Sequence, residues 1–288
     1  MVNEKVQAQP KVSVLMPVYK TPEKYLRETI ESILGQTYKN FEFLILDDCP
    51  EQSVEDVVKS YKDERIRYFK NEKNMGISRS RNKLIDLSRG AYLAVMDHDD
   101  ICLSKRFEKE VAFLDTHPDV GVVGTWYERF PKMKLKKRYV INSQIERDLM
   151  YHCSILHPSS MIRKSVLDEN NLRYEEEYSP SEDYALWCRL IGKTKFANIA
   201  EVLYRYRDYG ANTSKIQAEK MAKASKAIHD FLQKEHPALM AEASKVKTVR
   251  IFGLPLIQCV REGGRVTYKL FNAFQFVTHE KILLHEDI

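Results

Sequence analysis

Tyr92-Leu93-Ala94-Val95-Met96-Asp97-His98-Asp99-Asp100 runs five apolar residues straight into three carboxylates within four positions. The apolar run, bounded by Gly90 before it and the acids after it, reads as a buried parallel strand. Carboxylates crowded this closely repel one another and raise each other's pKa unless a cation sits between them. Their oxygens suit hard divalent ions such as Mg²⁺ or Mn²⁺, which take one or two protein carboxylates and complete their shell with substrate phosphates. In an open α/β sheet, ligands bind beyond the carboxyl ends of the strands, where these acids lie. Taken alone, Asp-x-Asp fits a solvated acidic turn equally well, so the surroundings decide.

Toward the N-terminus, strands and helices alternate. Val12 to Met16 is a strand stopped by Pro17, and Thr21 is placed to cap a helix with Pro22 at its first position. Leu26, Ile30, Ile33 and Leu34 follow at helical spacing, and Gly35 ends the helix. Phe41 to Leu46 is a second strand, ending in Asp47-Asp48. A helix through Val54, Val57, Val58 and Tyr61, a strand from Ile66 to Phe69, and a helix from the Asn74-Met75-Gly76 turn to Leu87 lead into the acidic strand. Beyond the acids, Phe107, Val111 and Leu114 mark a helix and Val120 to Gly124 a strand. The alternation implies an α/β fold with a doubly wound, mostly parallel, Rossmann-like sheet.

After Trp126 the pattern loosens into strands, short helices and a basic run, which by default is a solvated, mobile loop. It tightens where Glu182-Asp183 opens a helix through Leu186, Trp187 and Leu190. Phe196 to Arg205 reads as strand and Ser214 to Lys234 as helix. Arg250 to Leu256 is echoed by Lys269 to Gln275, with a hairpin signal at Glu262-Gly263-Gly264-Arg265 between them. That places a β-rich or mixed appendage over residues 250–278. The expected divisions are a flexible 1–10, a ligand-binding half over 11–126, a second half over 127–235, and a C-terminal appendage over 236–288.

At 288 residues with net charge +5, the chain is long enough to bury a full core, and its mild charge does not imply nucleic acid. The basic residues are unevenly placed, with six in the ten positions from Arg129 to Arg138 and no acid among them. Five scattered cysteines without close spacing argue against a disulfide framework or a zinc site and for a reducing, cytoplasmic compartment. Met1 to Pro10 lacks the apolar centre of a signal peptide, and no run reaches the roughly 18 apolar residues of a membrane span.

Six stretches in order resemble family 2 inverting glycosyltransferases of the GT-A fold. They are Val12 to Tyr19, Ser32 to Thr37, the strand ending Asp47-Asp48, Asn74 to Asn82, Asp97-His98-Asp99-Asp100, and Glu182 to Leu190. The resemblance covers roughly residues 11–210 and implies a smaller acceptor-side region beyond the nucleotide-sugar half. It implies single-sugar transfer from a UDP-sugar, with Mn²⁺ or Mg²⁺, in bacterial surface-polysaccharide, capsule or lipooligosaccharide synthesis. The Gln-x-x-Arg-Trp motif of processive members is missing, which points to single additions.

The resemblance also assigns roles. Pro17 and Tyr19 would hold the base, Tyr19 by stacking, unless it is a rim aromatic. Asp48 would accept the uracil N–H, Asp47 being the more structural neighbour; the alternative for Asp48 is a plain turn residue. Arg81 would approach the nucleotide or its diphosphate. Asp97 would bond the ribose or metal-bound water and Asp99 would ligate the cation, with Asp100 completing the cluster and His98 a pH-sensitive spectator beside them. Asp183 would be the base that deprotonates the acceptor hydroxyl, with Glu182 in reserve; the alternative is a pair of acids at a helix start. His157 and Trp187 fall on the acceptor side, where each is open between site and core roles. The run Tyr204-Arg205-Tyr206-Arg207 either touches the diphosphate or alternates along an edge strand. Cys49-Pro50 replaces the family's usual Gly-Ser after the paired acids and reshapes that turn.

The implied partners are a nucleotide sugar and a glycan or lipid-linked acceptor. The basic run 129–138 and the basic tail add peripheral membrane contact as an open alternative. A non-catalytic nucleotide-sugar binder of the same fold is the competing reading. An Asp-dependent phosphohydrolase is disfavoured, because Ile101 stands where that chemistry wants Thr or Val.

Overall fold

The computed structural model describes residues 9–209 and 217–244, together with the backbone of four strands between 246 and 282. The first half alternates as expected: β1 (Val12–Val18), α1 (Glu23–Leu34), β2 (Phe41–Asp47), α2 (Glu55–Lys59), β3 (Ile66–Lys70), α3 (Ile77–Leu87), β4 (Tyr92–Val95). Then come β5 (Ile101–Cys102), α4 (Arg106–Thr116), β6 (Val120–Phe130), β7 (Lys134–Lys136), α5 (Asn142–Leu149), β8 (Met161–Arg163) and α6 (Lys164–Glu169). α7 (Glu182–Leu190), β9 (Lys195–Arg207), α8 (Ala218–Glu235) and α9 (Pro237–Ser244) complete the body. β1, β2 and β4 are buried on both faces, the mark of a sheet covered by helices on each side.

The strand order is β3-β2-β1-β4-β8-β6-β9-β5, with β7 added on β6. β3, β2, β1 and β4 are parallel. β6 does not lie beside β4, because β8 is inserted between them, antiparallel to both. β8 has only three residues, too few for any periodicity to show, yet Met161 and Ile162 are buried in the centre of the sheet. The division expected at 126/127 therefore falls inside β6, and β8 and β9 extend the sheet begun by β1. Alternate strand residues feed two cores. Leu15, Leu44, Leu93 and Val95 pack with α3, α5 and α7; Val14, Met16, Phe43 and Ile45 pack with α1 and α4.

Two local expectations are corrected. Pro17 does not stop β1, which runs on to Val18 in register with Asp47. β1 pairs with β4 only as far as Leu15, whose carbonyl accepts from Met96 N. Pro17, two residues on, points to that same side, where no strand asks for its missing N–H. Thr21 does not cap α1 either; the helix starts at Glu23, and the Thr21 hydroxyl meets His98 Nδ1 at 2.5 Å instead.

Gly90 owes its place to close approach. Its N–H donates to Ser13 Oγ at 2.8 Å, and an added Cβ would lie 2.6 Å from Ser13 N and 2.7 Å from Val12 C. Because those neighbours are backbone, Gly90→Ala is expected to destabilise the fold by about 1–3 kcal/mol. Urea unfolding measures this, and a loss under half a kcal/mol would contradict it.

The appendage is a four-stranded antiparallel meander of β10 (Val246–Ile251), β11 (Leu254–Glu262), β12 (Arg265–Phe271) and β13 (Phe276–Ile282). The expected Gly263-Gly264 turn lies outside the described residues, while its flanks Glu262 and Arg265 are paired. Residues 1–8 and the first residues of the expected 214–234 helix likewise lie outside them.

Candidate active site

β4 ends at Val95, and the acids follow in the loop that carries the chain to β5 at the far side of the sheet. Asp100 anchors this loop from below. Its carboxylate accepts from Tyr204 OH at 2.8 Å and from Arg207 N at 2.6 Å, and its carbonyl accepts from Thr29 Oγ1 at 2.7 Å. Burial, then the charges of Asp99 and Asp97, hold its carboxyl well above the usual carboxylate range. The Arg207 guanidinium also donates to the Asp99 carbonyl and pairs with Glu28 at 2.5 Å. Tyr204 and Arg207 hold the acidic loop, a role outside the two left open for the 204–207 run, contact with the diphosphate or alternation along an edge strand.

Asp97 and Asp99 are left half-buried. Burial and the nearby Asp99 charge raise the Asp97 carboxyl, with Arg81 opposing. A cation between the two carboxylates would relieve that repulsion. No group of three His, Cys, Asp or Glu side chains among the described residues makes a cage of its own. Two carboxylates fit an ion that takes one or two protein ligands and completes its shell from substrate phosphate, as Mg²⁺ and Mn²⁺ do. His98 is turned to Thr21.

Across from this loop, the first turn of α7 presents Glu182 and Asp183. Arg81, buried on α3, joins the two parts: Nη1 donates to Glu182 Oε1 at 2.5 Å, and Nη2 reaches Asp97 Oδ1 at 3.4 Å. Glu182 is 4 % exposed and its Oε2 has no protein partner among the described residues. Asp183 is half-buried, and burial followed by the Glu182 charge pushes its carboxyl up to about 6, against the pull of Arg81. The two adjacent acids thus differ: Glu182 is locked to a guanidinium, while Asp183 accepts only from the Tyr184 backbone N–H at 2.8 Å among the hydrogen bonds described.

Behind Arg81 sits an aromatic wall. The guanidinium lies 5.5 Å from the Tyr174 ring centroid. Asn82 clamps the Tyr174 backbone on both sides. Tyr174 OH meets His157 Nε2 at 2.8 Å, and Trp187 packs on His157 with centroids 5.7 Å apart. Burial, then Arg81 and Arg106, hold the His157 imidazole well below its ordinary range, so it is neutral. Trp187 has no exposed surface, so it supports the site from the core and does not form its floor.

At the end of β1, Pro17 is buried and Tyr19 projects beyond it, 42 % exposed. Asp47 is structural, accepting from Cys49 N, Ser53 Oγ, Val54 N and Tyr68 OH. Asp48 accepts from Asn71 Nδ2, Met75 N and Gly76 N, which fixes the turn into α3 and so sets where Arg81 stands.

Sequence reading missed Arg106, Tyr174 and the anchoring role of Arg207. Arg106 is fully buried under the acidic loop, pairs with Glu110 at 3.1 Å, and donates through Nη2 to Val95 O and Ser160 O. Its signal was an Arg and a Glu four apart on a helix otherwise read only for its apolar face. The 129–138 run is a further correction. It is a β6–β7 hairpin, fastened by Trp126 Nε1 to Arg138 O at 3.0 Å and by Arg129 to Asp208 at 2.7 Å.

Residues 13–170 match the model of glycosyl transferase family 2. An uncharacterized glycosyltransferase of Methanocaldococcus jannaschii is 38% identical over 69% of this chain and 71% of its own. An Escherichia coli protein named UDP-Glc:α-D-GlcNAc-diphosphoundecaprenol β-1,3-glucosyltransferase WfaP is 25% identical over 72% of this chain and 81% of its own. The structure of Staphylococcus aureus TarS 1–349 with UDP-GlcNAc superposes with a TM-score of 0.69 at 19% identity, covering 82% of this chain and 72% of that one. The inserted antiparallel β8 and the acidic loop after β4 thus belong to a GT-A fold, and the chain is a member of glycosyl transferase family 2.

Proposed function

We propose that this enzyme moves one sugar from a UDP-sugar to a hydroxyl of a glycan or lipid-linked acceptor, with inversion, in cell-surface polysaccharide or lipooligosaccharide synthesis. The observation that carries the reading is the Arg81 bridge. It ties the donor-side Asp97 to Glu182, and so holds Asp183 at a fixed place across from the acidic loop. Tyr19 stacks on the base and Asp48 accepts its ring N–H, while the turn fixed by Asp48 positions Arg81 toward the diphosphate. Asp97 and Asp99 would hold a divalent cation, which would supply positive charge against the leaving nucleoside diphosphate. Asp183 takes the proton from the acceptor hydroxyl as that oxygen attacks the anomeric carbon from the face opposite the leaving group. The lipid-diphosphate acceptor in the WfaP name supports an acceptor of that class.

Incubation with UDP-, GDP- and dTDP-sugars in Mn²⁺ tests the proposal. UDP release accelerated by a glycan or lipid-diphosphate acceptor is expected; no release from any donor would sink it.

A pH dependence follows. A base must be deprotonated, and Asp183 titrates at about 6 instead of near its ordinary value. The rate constant kcat/KM is therefore expected to be level above neutrality and to fall about tenfold per pH unit below the Asp183 pKa. A profile that stays level down to the ordinary carboxylate range would contradict Asp183 as the base.

A further inference from the structure

The β6–β7 hairpin carries an excess of positive charge. Glu128 pairs with Arg205 and Arg129 with Asp208. Lys134, opposite Arg129, Lys136, opposite Tyr127, and Lys132 at the turn have no ion-pair partner among the described residues. Burial, then the neighbouring cations Lys134, Arg129 and Arg138, lower the Lys136 ammonium. Beside these lysines stand Met133, 47% exposed, and Leu135, 45% exposed. Apolar side chains at this exposure, interleaved with unpaired cations, match the two layers of an anionic bilayer surface, headgroup charge above acyl chain.

The hairpin also has a defined place relative to the acidic loop. Phe130 is in register with Arg207, whose guanidinium lies 4.5 Å from the Phe130 ring centroid and also donates to the Asp99 carbonyl. The hairpin therefore leaves the sheet at the end that carries the acidic loop. We infer that Lys132, Met133, Lys134, Leu135 and Lys136 form a docking surface for an anionic phospholipid bilayer, which sets the acidic loop beside the headgroups. The inference rests on the proposed function for its purpose, since a membrane beside the site is where a lipid-linked acceptor is presented.

The test is sedimentation of the full chain with phosphatidylcholine vesicles and with vesicles containing phosphatidylglycerol. Wild type is expected to pellet with the anionic vesicles alone and to be released as salt rises. Each lysine near an anionic surface is worth a factor of about five in partitioning, so K132Q/K134Q/K136Q is expected to lose roughly a hundredfold. M133S/L135S is expected to weaken binding to the same vesicles by about tenfold. An unchanged thermal midpoint and circular dichroism spectrum verify that each variant is folded, and all five side chains are at the surface or partly so. The inference is overturned if the triple variant pellets like wild type, if wild type ignores anionic vesicles, or if it binds neutral ones equally. Pelleting needs no sugar transfer, so a chain that docks without transferring sinks the proposed function and leaves this inference standing, and the converse also holds.

Discussion

Asp183→Asn is expected to lower sugar transfer by about 10²–10⁴-fold, the range a positioned general base supplies. The substitution keeps the shape and the oxygen that accepts from Tyr184 N at 2.8 Å, so α7 retains its first turn. It removes only the lone pair that takes the acceptor proton. UDP binding lies across the Arg81 bridge and is expected to change less than twofold. Glu182→Gln makes the contrast. It weakens the 2.5 Å contact with Arg81 and so disturbs Asp97 and Asp183 together. That variant is expected to lose both donor affinity and turnover. Steady-state kinetics with a UDP-sugar separates the two, and an Asp183→Asn enzyme within threefold of wild type would remove Asp183 from the mechanism.

Arg106→Met is expected to cost about 3–5 kcal/mol of stability, the usual result of stripping one partner from a buried ion pair. The pair is fully buried, and burial already raises Glu110 to about 7 with Arg106 beside it. The variant also leaves Val95 O and Ser160 O, at the ends of β4 and β8, without their guanidinium donor. The pH dependence has a definite sign. A carboxyl raised in the folded state binds its proton more tightly there than when unfolded, so its favourable contribution is present at low pH and lost as pH rises through the folded pKa. Without Arg106 that folded pKa rises further, so the deficit of Arg106→Met is expected to be smaller in mild acid than in mild alkali. Arg106→Met/Glu110→Leu is expected to recover much of the loss, since an apolar pair needs no compensation. Guanidinium unfolding at both pH values measures all three; a deficit independent of pH would contradict the burial argument.

Much of the fold was legible because parallel strands buried on both faces write themselves as apolar runs. β1, β2 and β4 each appear as such a run, and acids or a turn mark where each ends. β8 was not legible, because three residues between Ser160 and Lys164 carry no period, and only its insertion between β4 and β6 gives it meaning. β5 failed for the same reason with two residues. At the site, residue types that carry chemistry in a fixed local spacing were visible: Asp97 and Asp99, and Glu182 beside Asp183. What joins them was not. Arg81 meets Glu182 across 101 positions of sequence, and Tyr204 meets Asp100 across 104. Such contacts are products of topology, and no local pattern announces them. The basic run was misread for a related reason: Trp126 and Asp208, which fasten the hairpin, lie outside the run itself.

The acidic loop after β4 is proposed to be a nucleoside-diphosphate site completed by a divalent cation. Thermal unfolding of the wild type and of Asp99→Asn, with UDP, GDP, CDP or dTDP and with or without Mn²⁺, tests it most directly. Ligand at a hundred times its Kd stabilises the folded state by about 2.7 kcal/mol, a rise in Tm of roughly 5–10 °C for a domain of this size. That rise is expected for wild type with UDP and Mn²⁺ together, with little for the other nucleotides and little for Asp99→Asn. An equal rise with Asp99→Asn, or none with any nucleotide, would contradict it and return the acidic loop to being a solvated turn.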